Sequence, residues 1–217
     1  HRLEKVVCIG SACSYPLHAP NPMKESDFWN GYPEPTNGPY GTAKRVLYEI
    51  CRSYYAQYGI KSNYLILSNL YGPGDRFDEG AHVVPSLIRR FEESARLNQD
   101  NLMVFGTGKP TREFLYVEDA AEAVVLAAEH LKGQGPMNIG SGEEISMSDL
   151  AFKIRGLLGI GRPIVFDPSS PDGHPGRVLD TSFCRRELGW VAKTGLDEGL
   201  KRTVDYFRAK FLEGTPA

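Results

Sequence analysis

The sequence lacks the features that mark membrane, nucleic-acid-binding and metal-binding proteins. None of its apolar runs approaches the ~18 residues that a membrane-spanning helix needs. The formal net charge of −2 leaves no basic surplus that would attract nucleic acid. The four cysteines form no Cys-x-x-Cys pair, which argues against a zinc site or a disulfide framework. The composition therefore predicts a globular protein of a reducing, cytoplasmic compartment, without a metal, membrane or nucleic-acid partner.

The sequence does contain alternating strand and helix patterns. Short apolar runs predict buried strands, and apolar residues at i, i+3 and i+4 spacing predict the helices between them. This alternation is typical of an α/β protein with a parallel sheet. Residues 15–38 are rich in Pro, Asn and Gly and predict a long loop. The predicted strands are 5–10, 62–67, 102–105, 113–117, 137–139 and 163–166, and the predicted helices are 40–58, 83–95, 118–132, 147–158, 181–187 and 196–211.

The segment PYGTAK, residues 39–44, carries the strongest chemical signal. Tyr40 and Lys44 are four residues apart in a predicted helix, so they lie on one face, one turn apart. A tyrosine titrates near pH ~10 and is a weak acid–base group at neutrality, whereas a neighbouring ammonium group favours its ionised form. The alternative is a surface Tyr and Lys on an ordinary helix, because the spacing alone is frequent by chance.

Two further polar segments follow predicted strands. Ser11 and Cys13 come directly after the first strand, and Asn69 comes after the second. Ligands of open α/β sheets bind outside the carboxyl ends of the strands. The sequence therefore predicts that both segments and the Tyr–Lys pair contribute to one active site.

Together these motifs resemble the extended short-chain dehydrogenases/reductases, the NAD-dependent epimerase/dehydratase family, whose Ser, Tyr and Lys catalyse hydride transfer to and from NAD(P). The resemblance covers nearly the whole chain, and finer segments are similar to those of GDP-L-fucose synthases. One position departs from that pattern, because Ala12 replaces the usual second Ser. The similar segments are GSACSYP (10–16), NLYGPGDRFDEGAHVVPSLIRRF (69–91), VFGTGKPTREFLYVEDAA (104–121) and FDPSSPDGHPGRVLD (166–180).

The resemblance implies a role for each matching residue. Ser11 would bind the substrate carbonyl, Tyr40 would donate the proton, and Lys44 would hold the nicotinamide ribose. Cys13 and His82 match the pair that performs epimerisation. The implied substrate-binding residues are Asn69, Arg90 and Arg112, with Lys109, Asp172 and Arg177 as weaker candidates, and the implied NADP(H)-binding residues are Tyr40, Lys44, Asn69 and Leu70.

The implied reaction converts GDP-4-keto-6-deoxy-mannose to GDP-L-fucose with NADPH. Hydrogens on the carbons beside a ketone are acidic because the resulting anion is an enolate. Inversion of those carbons needs one group that removes a proton and another that returns one. Thiol and imidazole groups, with ordinary pKa values near ~8.5 and ~6.5, suit both tasks near neutral pH. The alternatives are a Cys13 that only packs, a His82 that only begins a helix, and arginines that are only solvated charges.

The glycine-rich turn that cradles a dinucleotide pyrophosphate is absent from the chain. The residue that distinguishes NAD from NADP would lie downstream of that turn. We therefore expect about 90–100 further residues before His1, in three βαβ units, and expect the chain to be inactive without them. Residues 1–70 and 113–145 would be the second half of a Rossmann domain, and residues 71–112 and 146–217 would form a smaller nucleotide-sugar domain.

Two other functions remain open. The first is a different nucleotide-sugar epimerase or reductase, and the second is a non-catalytic scaffold that retains the motifs. A dehydratase is disfavoured, because dehydratases of this superfamily place an Asp-Glu pair where this chain has Ala12 and Cys13. The resemblance also implies a homodimer.

Overall fold

The computed structural model describes Leu3, residues 5–132 and residues 135–212. The chain forms two compact units, each assembled from segments that are separate in the sequence. The fold is α/β with parallel sheets, as the alternating pattern predicted. Unit 1 comprises His1–Leu70, Glu113–Glu144 and Gly176–Lys193, and unit 2 comprises Tyr71–Arg112, Ile145–Pro175 and Thr194–Ala217.

The strands are β1 (Lys5–Ser11), β2 (Lys61–Leu67), β3 (Asn69–Tyr71), β4 (Leu102–Phe105), β5 (Thr111–Tyr116), β6 (Pro136–Ile139), β7 (Glu144–Ser146), β8 (Ile164–Asp167) and β9 (Gly176–Arg177). The helices are α1 (Gly38–Tyr58), α2 (Val83–Arg96), α3 (Val117–His130), α4 (Met147–Leu158), α5 (Ser182–Leu188) and α6 (Leu196–Phe211). The predicted loop contains short 3-10 turns, and β3, β7 and β9 were not predicted because two or three residues carry no periodic pattern.

The main sheet of unit 1 has the strand order β1-β2-β6, and both neighbouring pairs are parallel. Ser11 pairs with Leu67, and Leu67 pairs with Ile139, so the carboxyl ends of all three strands lie at one edge. A second sheet has the order β3-β5-β7, with β9 paired with β5. The edge where the three parallel strands end is where ligands of such sheets bind.

Both faces of the main sheet are covered, so Tyr64–Leu67 at the end of β2 are buried on whichever face each side chain lies. Successive side chains of a strand point to opposite faces. Tyr64 and Ile66 therefore pack on the α1 side, and Leu65 and Leu67 pack on the other. The first cluster also includes Cys8, Tyr15, Met23, Phe28, Tyr48 and Cys51, and the second includes Leu115, Ala120, Ala123, Ala127, Met137, Ile139, Cys184 and Trp190.

Helix α1 has one buried face and one exposed apolar face. It ends at Gly59, whose positive φ of 67° allows its N–H to bond the carbonyl of Tyr55 at 2.9 Å. Tyr48 and Cys51 face the sheet. The exposed side nevertheless carries large apolar residues, namely Val46, Ile50, Tyr54 and Tyr58. Such a stripe is unusual on a solvated helix and is typical of an interaction surface.

Unit 2 is built on the parallel pair β4 and β8, with α2, α4 and α6 packed together. Val84, Leu87, Ile88 and Phe91 bury one face of α2. Ser146 begins α4 as predicted, because its hydroxyl accepts the N–H of Asp149 at 3.0 Å.

The contact units differ from the predicted domains in one segment. Gly176–Lys193 belongs to unit 1, although the prediction grouped it with the nucleotide-sugar domain. Hydrogen bonds hold it there: the N–H of Val178 donates to Asn21 Oδ1 at 2.8 Å, and the N–H of Leu179 donates to Glu113 Oε2 at 2.9 Å. The functional roles of the two domains stay a prediction. No helix in the described residues combines the length and apolarity needed to cross a membrane.

Candidate active site

The carboxyl end of β1 turns sharply and carries two of the predicted catalytic residues. Ser11 is the last residue of β1, and its Oγ accepts the N–H of Cys13 at 3.2 Å. That bond caps the 3-10 turn Ala12–Ser14. The Cys13 side chain is only partly buried, whereas Cys8, Cys51 and Cys184 are buried. A hydroxyl and an accessible thiol therefore lie two residues apart, just beyond the sheet edge.

The start of α1 packs directly against this turn. A Cβ at Gly41 would come within 2.6 Å of the Cys13 carbonyl oxygen, so only glycine permits this approach. Tyr40 precedes that glycine, and its side chain is 50% exposed. Lys44 Nζ donates to the carbonyl of Ile9 at 2.9 Å and lies 5.6 Å from the centre of the Tyr40 ring. The helix thus carries the Tyr–Lys pair beside the end of β1.

Asn69 and Leu70, which follow β2, differ in how accessible their side chains are to a ligand. Asn69 donates its amide to the carbonyl of Glu113 at 2.7 Å, which anchors β3 to β5. Leu70, the next residue, has 37% of its surface exposed. Of the two, Leu70 is the more available to a ligand.

Glu113 is a buried acid that sequence reasoning missed. Its carboxylate accepts the N–H of Gly142 at 2.7 Å and the N–H of Leu179 at 2.9 Å. Burial raises its pKa to about 7, although these hydrogen bonds favour the ionised form. Gly140 lies so close that a side chain there would collide with the carboxylate. The signal in the sequence was an acidic residue directly before the apolar residues FLY (114–116). The prediction treated Glu113 only as the first residue of that strand.

Arg177 is a second residue whose contact was missed. The resemblance implied a substrate contact, but its Nη1 lies 3.1 Å from the Sγ of Cys13 within unit 1. These residues are 164 positions apart in the chain. No local pattern could indicate their proximity, because it depends on the pairing of β9 with β5.

The remaining predicted site residues belong to unit 2. His82 immediately precedes α2 and is exposed, and its imidazole has no hydrogen-bond partner among the described residues. Arg90 donates to the carbonyl of Met103 at 2.8 Å, and its guanidinium lies 4.1 Å from the centre of the Phe105 ring. Burial lowers the pKa of Arg90, which stays protonated at neutral pH.

Arg112 is held by backbone carbonyls, with Nη1 2.7 Å from the oxygen of Thr111 and 2.6 Å from that of His174. Asp172 accepts the N–H and the hydroxyl of Thr107, both at 2.7 Å, and these bonds lower its pKa. Lys109 is exposed. No group of three His, Cys, Asp or Glu side chains in the described ranges could hold a metal ion.

Residues 1–140 match the NAD dependent epimerase/dehydratase family. The chain belongs to this family. Probable GDP-L-fucose synthase 1 of Oryza sativa subsp. japonica is 40% identical over 206 residues, which cover 94% of this chain and 62% of the rice protein. The chain thus spans less than two thirds of the length of that relative.

Solved structures of other proteins have the same fold. A GDP-L-fucose synthetase from Naegleria fowleri bound to NADP superposes with a TM-score of 0.89 at 28% identity, covering 96% of this chain and 67% of that one. A GDP-6-OMe-4-keto-L-xylo-heptose reductase from C. jejuni superposes with a TM-score of 0.88 at 28% identity, covering 95% of this chain and 71% of that one.

Proposed function

We propose that this chain carries the catalytic and substrate-binding residues of an NADPH-dependent epimerase-reductase that converts GDP-4-keto-6-deoxy-mannose to GDP-L-fucose. One observation carries the proposal: the turn from Ser11, the last residue of β1, to Cys13 packs against the start of α1, the helix that carries Tyr40 and Lys44. The similarity to relatives named GDP-L-fucose synthase supports the choice of reaction.

Reduction of the 4-keto group needs a proton donor for the carbonyl oxygen. Tyr40 fits this role because its side chain is half exposed and its hydroxyl has no hydrogen-bond partner among the described residues. The Lys44 ammonium lies 5.6 Å from the centre of its ring, so a positive charge is near the group that becomes negative after the proton has left. The Ser11 hydroxyl donates a second hydrogen bond to the same oxygen and lowers the cost of its developing charge.

Epimerisation needs two acid–base groups, and Cys13 and His82 are our candidates. One of them removes a proton from the carbon beside the ketone, the C–H electrons form the enolate, and the other returns a proton to the opposite face. Both side chains are accessible, because Cys13 is partly buried and His82 is exposed. The enolate oxygen is the same atom that Ser11 and Tyr40 bind, so one set of donors serves both reactions.

The residues at the sheet edge also fit NADP(H). Lys44 is anchored to the carbonyl of Ile9 and so presents a fixed cation for the nicotinamide ribose, beside the open Tyr40. Leu70 offers an exposed apolar contact, and Asn69 holds the backbone that carries it. When bound, NADPH supplies the hydride. Arg90 and Arg112, whose positions are fixed by carbonyls, suit the diphosphate of the nucleotide sugar.

A second candidate is a reductase of a different GDP-4-keto sugar. The similarity to the heptose reductase from C. jejuni favours it. Such an enzyme would use Ser11, Tyr40 and Lys44 but would not need Cys13 as an acid–base group. Proton exchange at the carbons beside the ketone therefore separates the two candidates.

The decisive experiment uses the full-length protein in D₂O with NADPH and GDP-4-keto-6-deoxy-mannose. Mass spectrometry of the product should show deuterium at the carbons beside the ketone. Cys13→Ser and His82→Gln should each reduce that uptake, while reduction of a 4-keto sugar that needs no inversion partly survives. Reduction without deuterium uptake in the unaltered protein would favour the second candidate. Uptake unchanged in both variants would remove Cys13 and His82 from the mechanism.

The exposed stripe of α1 supports a homodimer. Val46, Ile50, Tyr54 and Tyr58 would cover one another across two copies of the helix, as apolar faces in a subunit interface do. The four free thiols support a reducing compartment such as the cytoplasm. Ile50→Glu should shift the full-length protein from dimer to monomer in sedimentation, whereas Glu49→Gln, at the preceding position, should not. A monomeric unaltered protein would contradict the dimer.

A further inference from the structure

Arg177 is a buried cation that the fold leaves almost without partners. The residue is 6% exposed, and its Nε is buried without a hydrogen bond. No carboxylate in the described part of the chain lies within ion-pair distance of it. Among the described residues its guanidinium makes one side-chain hydrogen bond, from Nη1 to the Sγ of Cys13 at 3.1 Å. Burying an unpaired charge is costly, so a group that can become negative is expected beside it.

Hydrogen bonds and close packing hold the backbone at both ends of this contact. Cys13 is held by the hydrogen bond to Ser11 and by the close approach of Gly41 to its carbonyl. On the other side, the backbone that follows Arg177 is fixed by the bonds from Val178 to Asn21 and from Leu179 to Glu113. The Arg177 guanidinium therefore contacts the sulfur from a buried residue of β9, whose neighbouring backbone is held by hydrogen bonds.

We propose that Arg177 is a positioning residue for Cys13, holding its sulfur by a charge-assisted hydrogen bond where the thiol exchanges protons; this rests on the proposed function. When Cys13 accepts a proton from the sugar carbon, an S–H bond forms and the C–H electrons pass to the enolate. When it returns a proton, the sulfur becomes negative. The guanidinium stays protonated throughout, so it pairs with the sulfur whenever the sulfur is anionic.

Cys13 is hydrogen-bonded at two different atoms within unit 1. The Ser11 hydroxyl accepts the backbone N–H of Cys13, and Arg177 donates to its sulfur. Loss of Arg177 should therefore alter the reactivity of the sulfur without loosening the turn that carries it. This distinguishes positioning from a purely structural role.

The test measures the sulfur itself in the full-length protein without substrate. Cys13 is alkylated by iodoacetamide at one neutral pH, and mass spectrometry of its peptide gives the rate. Cys8, Cys51 and Cys184 are buried and serve as internal controls for unfolding. We compare Arg177→Lys, which keeps the charge, with Arg177→Gln and Arg177→Met, which remove it. Arg186→Met, at an exposed arginine paired with Glu187, is the matched control.

The neutral variants should alkylate Cys13 about tenfold more slowly, the factor that one hydrogen bond to a charged group supports. Arg177→Lys should recover most of the rate, and Arg186→Met should leave it unchanged. If Arg177→Met does not fold, Arg177→Gln decides, because it keeps a polar side chain while removing the charge. A folded neutral variant with the original rate would overturn the proposal, as would a lysine variant as slow as the glutamine one.

This readout is independent of the overall reaction. If the protein performs no epimerisation, deuterium uptake is absent in every variant, yet the charge dependence of alkylation is still measured. If Arg177 instead binds only the nucleotide sugar, its neutral variants raise KM and leave alkylation of the free protein unchanged. That pattern would reject positioning while leaving the proposed function intact.

Discussion

Tyr15 and Tyr40 both belong to unit 1, but the fold treats their hydroxyl groups in opposite ways. Tyr15 is 1% exposed, and its hydroxyl donates to Asn138 Oδ1 at 2.7 Å. Tyr40 is 50% exposed, its hydroxyl has no hydrogen-bond partner among the described residues, and its neighbour is the Lys44 ammonium. A hydroxyl that the fold satisfies contributes to stability, whereas one left open beside a cation is available to a ligand.

Two charged groups repeat this contrast. Glu113 is buried, and backbone N–H groups from two different segments satisfy its carboxylate. Arg177 is also buried, but it contacts one sulfur and has an unpaired Nε. The hydrogen bonds of Glu113 form a complete structural network, whereas the positive charge of Arg177 remains available to act on Cys13. Groups whose hydrogen bonds the fold satisfies should therefore be structural, and groups that it leaves unsatisfied should be reactive.

The largest effect should follow the loss of the open hydroxyl. Tyr40→Phe should reduce NADPH oxidation by at least ~10²-fold, the lower range for general acid catalysis, because the carbonyl oxygen loses its proton donor. The midpoint of urea unfolding should hardly move. Steady-state kinetics of the full-length protein measure the first effect, and Tyr55→Phe, an exposed tyrosine of the same helix, is the control. Near-normal turnover in Tyr40→Phe would contradict its assignment.

The next effect comes from Glu113, the buried acid whose carboxylate accepts two backbone N–H groups. The pKa of Glu113 in the fold is about 7, above the ordinary value of 4.5. The folded state therefore holds this proton more tightly than the unfolded state. Its contribution is fully present below the ordinary pKa and is lost as the pH rises through about 7. The loss should reach about 3 kcal/mol, which follows from ~1.4 kcal/mol for each pKa unit.

Urea unfolding at a series of pH values measures this dependence. Glu113→Gln cannot titrate, so its free energy of unfolding should vary less with pH across that window. The variant should also be less stable at low pH, because its amide replaces one acceptor with a donor that faces backbone N–H groups. Equal pH slopes in both proteins would mean that Glu113 does not titrate there.

What could be predicted from the sequence follows the same division. Tyr40 and Lys44 lie in a local motif with helical spacing, and the parallel strands followed from their apolar runs. The contacts of Glu113 and Arg177 could not be predicted. They depend on Gly176–Lys193 joining unit 1, and that segment has no pattern that marks its partner. Reactive residues that lie within one segment can be predicted from the sequence. Hydrogen bonds between distant segments cannot, because they depend on how those segments pack.

The smallest effect should come from the satisfied tyrosine. Tyr15→Phe removes one hydroxyl, as Tyr40→Phe does, but it leaves Asn138 Oδ1 buried without that donor. The Asn138 amide still donates to the carbonyls of Met23 at 2.9 Å and Asp180 at 3.1 Å, so the network should persist. We expect a loss of about 1 kcal/mol in the free energy of unfolding, the usual value of one hydrogen bond, with kcat unchanged. Urea unfolding and NADPH oxidation of the same preparation measure both quantities. A fall in kcat as large as that of Tyr40→Phe, with stability intact, would show that a satisfied hydroxyl can also be catalytic, and the comparison would then fail.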